Sequence, residues 1–187
     1  MRRTTRVAAF GVAMHVGAVA YLTAQAPSSV RAPLAGQWKQ VAYLKASNPA
    51  EDAHFGCGGT LTGHAGNSSA LSADGNTLAV GAPHESSSAK GINGNQNDSS
   101  MYSAGAVYVF ARRGETVTQQ AYVKASNPMP SANFGSSVVL SRDGNTMAVA
   151  AYYESSAATG VNGNQGDRSI PEAGAVYIFT RSGTNWS

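Results

Sequence analysis

Leu140-Ser141-Arg142-Asp143-Gly144-Asn145-Thr146 repeats Leu71-Ser72-Ala73-Asp74-Gly75-Asn76-Thr77 with a single change, Arg142 for Ala73. In each copy an Asp-Gly pair separates short apolar runs: Ala70-Leu71 from Leu78-Ala79-Val80, and Ser136 to Leu140 from Thr146 to Ala151. Asp-Gly supplies the positive φ values that a tight hairpin requires, so the spacing predicts antiparallel strands on either side of it. Two further stretches return. Tyr43-Leu44-Lys45-Ala46-Ser47-Asn48-Pro49 comes back as Tyr122-Val123-Lys124-Ala125-Ser126-Asn127-Pro128, and Gly105-Ala106-Val107-Tyr108-Val109-Phe110 as Gly174-Ala175-Val176-Tyr177-Ile178-Phe179. A duplication of this size marks a repeat architecture, in which each unit buries its apolar face against its neighbours.

Matches from Leu71 onward are 69 residues apart, whereas Tyr43 and Tyr122 are 79 apart, so the first unit carries about ten extra residues near 57–67. Trp38 aligns with Val117, and Val117 with Trp186. The units are therefore expected at 38–116 and 117–185, with 186–187 opening a third. Each unit reads as four short strands, placed in the second at Gln119 to Lys124, Ser136 to Leu140, Thr146 to Ala151 and Gly174 to Thr180. Four antiparallel strands per repeat predict an all-β fold of β-propeller blades, two of them present, as an incomplete propeller. Composition agrees. Glycine is abundant, at 21 of 187 residues, and only 12% of residues are charged, against about a quarter in average chains.

Arg2, Arg3 and Arg6 precede an apolar stretch from Val7 to Leu22, with small residues at Ala24 and Ala26. This layout predicts a signal peptide over 1–26, followed by a linker over 27–37 and a secreted, periplasmic or cell-surface location. The leader holds three of the thirteen basic residues and none of the ten acidic ones, so the remainder balances ten against ten. The formal charge of +3 belongs to the leader, and nothing recommends a nucleic-acid partner. After leader removal no membrane partner is expected either. Cys57 is the only cysteine, which excludes an intrachain disulfide.

Phe55-Gly56 and Phe134-Gly135, with Gly81-Ala82-Pro83, resemble FG-GAP repeats, the blades of the integrin α-subunit propeller and of bacterial secreted proteins. The Asp-Gly-Asn-Thr turn and the closing Gly-Ala-Val-Tyr resemble a bacterial variety. The second unit departs from the pattern, with Ala150-Ala151-Tyr152 in place of Gly-Ala-Pro. In the first unit a degenerate start at His64-Ala65-Gly66 competes with Phe55-Gly56 as the anchor. The resemblance implies calcium as the metal to test, but calcium takes six to eight oxygen ligands. Each turn offers a single carboxylate, Asp74 or Asp143, so no metal or other cofactor is expected.

The long loops after the third strand hold the candidate binding residues. These are Glu85, Asn93, Asn95, Gln96 and Asp98 in the first unit, and Glu154, Asn162, Asn164, Gln165 and Asp167 in the second. Connections of this length are often functional, and their amides and carboxylates suit polar recognition of an extracellular protein or glycan. Asn-Gly pairs also make turns, which is the structural alternative. No histidine recurs between the units, and no nucleophile elbow or phosphate loop is present, so the chain reads as a non-enzyme. The expected role is extracellular binding or adhesion. The alternative is a structural fragment or self-assembling blade pair, completed by a homo-oligomer or by a larger parent propeller.

Overall fold

In the computed structural model, which describes residues 38–57 and 66–187, the two Asp-Gly stretches sit at equivalent turns of two antiparallel four-stranded sheets. The first sheet holds β1 (Ser69–Leu71), β2 (Thr77–Ala82), β3 (Ala106–Arg113) and β4 (Thr116–Val123), in that order. The second holds β5 (Phe134–Leu140), β6 (Thr146–Ala151), β7 (Ala175–Ser182) and β8 (Asn185–Trp186). Neither sheet closes into a barrel, and the described residues contain no helix, as expected of incomplete propeller blades. The predicted signal peptide at 1–26, the linker at 27–37 and the insertion residues 58–65, His64 among them, lie outside the described residues.

The sequence unit and the hydrogen-bonded sheet are offset by one strand. The run Gln119 to Lys124, read as the first strand of the second unit, lies within and just beyond β4, which pairs with β3 through Val107↔Val123 and Tyr108↔Tyr122. The reason is local. Gly114, at φ 63°, turns the chain between Arg113 and Thr116, and so short a connection leaves antiparallel neighbours as the only outcome. Gly183, at φ 61°, does the same between β7 and β8.

The Asp-Gly turns differ from the expected two-residue hairpin. Only the glycines, Gly75 at φ 70° and Gly144 at φ 69°, are left-handed. Gly75 N donates to Ser72 O at 2.9 Å and Gly144 N to Ser141 O at 2.9 Å, closing four-residue turns that end on a left-handed glycine. The aspartates instead cap their turns from the side chain. Backbone torsions recur along with the sequence. Asp52, His54, Asn93 and Ser103 have positive φ, as do their counterparts Ser131, Asn133, Asn162 and Glu172.

Alternation along the strands divides the core. Val107 and Val109 of β3 face the second sheet, joining Ala79, Ala121 and Val123 in a cluster with Phe134, Val138, Met147, Val149 and Phe179. Tyr108 and Phe110 point the other way, into a cluster with Val80, Tyr122 and Ala46, with Leu44 and Phe55 packed against it. The second sheet repeats the pattern only on its inner side. Phe134 packs edge-on against Tyr177 and Phe179, with ring centroids 5.4 Å and 6.1 Å apart, while Val176 and Ile178 on the outer side are 66% and 62% exposed.

Gly81 explains the Phe-Gly and Gly-Ala-Pro pieces together. A Cβ on Gly81 would meet the Gly135 carbonyl oxygen at 2.1 Å, and one on Gly135 would meet the Ala106 oxygen at 2.5 Å. The Phe-Gly of one repeat thus lies directly on the Gly-Ala-Pro strand of the repeat before it. Ala150, the counterpart of Gly81, lies on the open outer side, where nothing described excludes its methyl group.

Candidate functional site

Each long loop is tied down by its own carboxylate together with an asparagine and a tyrosine drawn from two of the repeated stretches. In the first, Tyr108 OH donates to Asn48 Oδ1, and Asn48 Nδ2 donates to Glu85 Oε1 at 3.1 Å and to the Gln96 carbonyl at 2.9 Å. Ser47 Oγ donates to Gln96 Oε1. In the second, Tyr177 OH donates to Asn127 Oδ1 at 2.5 Å, and Asn127 Nδ2 donates to Glu154 Oε1 and to the Gln165 carbonyl, both at 3.0 Å. Ser126 Oγ donates to Gln165 Oε1 at 2.5 Å. Burial pushes both phenols up, Tyr177 to about 12, with the neighbouring carboxylates adding to the effect. Both hydroxyls therefore stay protonated as donors.

The two carboxylates differ in one partner. Lys124 Nζ donates to Glu85 Oε2 at 2.7 Å and to the Ser87 carbonyl at 2.8 Å, with both side chains out of solvent. Burial pulls the lysine down from its ordinary value, and the Glu85 carboxylate opposes that pull. Glu154 is as buried as Glu85, at 2% exposure each. Its further partners are neutral: Ser156 N and Oγ donate to Oε2 at 3.1 Å and 2.9 Å.

The predicted binding residues fall into two groups. Glu85 and Glu154 lie beneath the loops and anchor them. Asn93, Asn95, Asn162 and Asn164 lie at the exposed surface, while Gln96, Asp98, Gln165 and Asp167 are half-buried. Most of the acceptors shape their own loop. Asn95 Oδ1 accepts from Asn97 N at 3.0 Å, and Asn164 Oδ1 from Gly166 N at 3.0 Å. Asp98 accepts from Ser88 N, Ser88 Oγ and Ser100 N, which holds its carboxyl well below the usual carboxylate range. Asp167 accepts from Ser169 N at 2.8 Å. Asn93 Oδ1 accepts from Tyr122 N at 2.9 Å. The four asparagines lie exposed on this hydrogen-bonded frame.

Asn48, Asn127, Tyr108, Tyr177 and Lys124 were not among the predicted site residues. All five lie in the repeated stretches, so recurrence was the available signal, yet their partners are 27 to 60 residues away. The turn aspartates are occupied as well. Asp74 accepts from Ser72 Oγ at 2.6 Å, Asn76 N at 3.0 Å and Asn76 Nδ2 at 2.9 Å, and Asp143 repeats the arrangement. Among the described residues no three His, Cys, Asp or Glu side chains come together as a metal cluster.

Fold and loops together define a two-repeat β-sheet protein whose units share one backbone path and one buried anchor. Comparison with protein families, with curated proteins and with solved structures finds no match for the chain.

Proposed function

We propose that this chain is a non-catalytic binding module of the FG-GAP kind, acting outside the cytoplasm in adhesion, with an extracellular protein or glycan held on the two loops. The observation that carries this reading is that both loops are held from below by the same asparagine, tyrosine and carboxylate arrangement and present Asn95 and Asn164 at equivalent exposed positions. Side-chain amides donate and accept at once, which suits hydroxyl-rich or peptide surfaces. A frame already held by hydrogen bonds loses little conformational freedom on binding. Two equivalent loops on one body also allow two-point attachment.

The full chain applied to immobilised oligosaccharides and extracellular-matrix proteins is expected to bind a defined subset. Asn95→Ala with Asn164→Ala should weaken that binding about tenfold or more, with only a small fall in melting temperature from the two lost turn hydrogen bonds. Binding indifferent to both substitutions, or no binding to either panel, would overturn the proposal. The uncovered edge of β7 favours a second reading, the self-assembling blade pair.

A further inference from the structure

The two sheets share a sequence and differ at one edge. β4 runs alongside β3 as far as Val107, whereas β8 and the Ser187 that follows it pair only with Ser182, Arg181 and Thr180, and no described strand lies on that side of β7 along 175–179. The sequence that occupies this place on the first sheet is Gln119-Gln120-Ala121-Tyr122-Val123-Lys124. Its other copy, Gln40-Val41-Ala42-Tyr43-Leu44-Lys45, belongs to no strand; Val41 is 45% and Tyr43 79% exposed, and Lys45 is exposed too.

What the end of β4 touches on the first sheet has a counterpart in place on the second. Lys124 Nζ meets Glu85, Tyr122 OH meets Ser87 Oγ at 2.5 Å, Tyr122 N donates to Asn93, and Lys124 N donates to the Gly91 carbonyl at 2.8 Å. The counterparts are Glu154, Ser156, Asn162 and Gly160. Glu154 and Ser156 are buried, and Asn162 and Gly160 hold φ of 56° and 69°, against 55° and 64° for Asn93 and Gly91. Among the described residues no cation pairs with Glu154. A carboxylate this buried with only neutral donors is left short of the charge that its counterpart has.

We infer that the Gln40–Lys45 segment of a second copy of this chain docks antiparallel to β7, completing the second sheet and placing Lys45 against Glu154. In the register of β3 and β4, Leu44 stands opposite Val176, Tyr43 opposite Tyr177 and Ala42 opposite Ile178. Pairing in this register covers the exposed edge of β7 and meets the buried anion with an exposed cation. The donor is another molecule because Ala46 and Asn48 are fastened to the first sheet, in the Tyr108 cluster and on Glu85. Leu44 packs on the same Tyr108 side of that sheet, away from the Val107 side that meets the second sheet.

An open groove of about 450 Å³, lined by Ala150, Ala151, Gly174, Ala175 and Val176 among others, supports the same junction. Its residues correspond to Gly81, Ala82, Gly105, Ala106 and Val107, where Phe134-Gly135 sits on the first sheet. The groove thus faces the Phe55-Gly56 of the incoming copy. Ala150 is the one misfit: its methyl group occupies the Cβ position that at Gly81 lies 2.1 Å from a carbonyl oxygen, so the faces stand apart there and the strand and ion pair hold the junction. The contact is head-to-tail, so copies build a ring or a filament. It is independent of what the loops bind.

Sedimentation of the full chain up to about 100 µM is expected to show concentration-dependent assembly. Lys45→Glu, at an exposed position that leaves the fold intact, should weaken assembly about a hundredfold, and Ala150→Gly should strengthen it. In a Cys57→Ser background, Ala42→Cys combined with Ile178→Cys should oxidise to covalent dimers and longer ladders. An internal disulfide in a monomer would make the chain's own segment the occupant and overturn the inference. A monomer without any cross-link would also overturn it, leaving a further repeat of a longer polypeptide as the occupant. Assembly indifferent to Lys45→Glu, or weakened by Ala150→Gly, would overturn the register.

Discussion

Gly81 and Ala150 occupy the same place in two copies of one sequence and are under opposite constraints. Gly81 has a carbonyl oxygen against it, and Ala150 has an open groove. Gly81→Ala is expected to lower stability by about 1–3 kcal/mol, the cost of overpacking a closed site, measured by urea unfolding under conditions that keep the chain monomeric. Ala150→Gly in the same assay should cost at most about 1 kcal/mol, the backbone-entropy penalty of glycine in a strand. Asp74 gives a pH signature. The Ser72 hydroxyl first, then Asn76, lower its carboxyl from 3.8 to about 2. Because the folded-state value lies below the unfolded one, the turn's contribution is fully present above about pH 4 and is lost as pH falls through about 2. Melting curves of wild type and Asp74→Ala should therefore differ at neutral pH and converge near pH 2.

Between elements, the Lys124 and Glu85 pair fastens the end of β4 to the loop that follows β2. Lys124→Ala would leave Glu85 buried with only neutral donors, and removing one partner of such a pair costs about 3–5 kcal/mol. Lys124→Met combined with Glu85→Gln should recover much of that loss, since neither residue then carries an uncompensated charge. A double variant no more stable than Lys124→Ala in chemical denaturation would show that the ion pair itself stabilises the fold. Glu154 offers the internal comparison, because its loop keeps the same path with neutral donors alone.

Of the two apolar clusters, the one around Val107, Val109 and Phe134 lies between the sheets and joins them. Phe134 opens β5 yet is completely buried, packed on Tyr177 and Phe179 of its own sheet while its backbone lies on Gly105 of the other. Phe134→Ala should cost about 3–5 kcal/mol and lower the cooperativity of unfolding, since it empties the junction through which the sheets stabilise each other. Calorimetry would record the loss as a fall in the ratio of van't Hoff to calorimetric enthalpy. The outer side of the second sheet, where Val176 and Ile178 are exposed, should tolerate Ile178→Thr with much less effect on the monomer.

Strand content was legible in the sequence, because apolar alternation and turn residues act over a few neighbours and recur in both units. β6 coincides with the expected Thr146 to Ala151, and Gly75 and Gly144 turn where Asp-Gly placed them. The loop anchors were not legible. Asn48 and Tyr108 meet across 60 residues, and Lys124 and Glu85 across 39, so no local pattern joins them. Which strand pairs with which was decided by hydrogen bonding between distant segments, and this moved β4 to the sheet before the one its repeat number suggested. The same holds for the difference between Glu85 and Glu154. Both lead a Ser-Ser pair and both are buried, yet they part company because ion pairing depends on what the folded chain brings alongside.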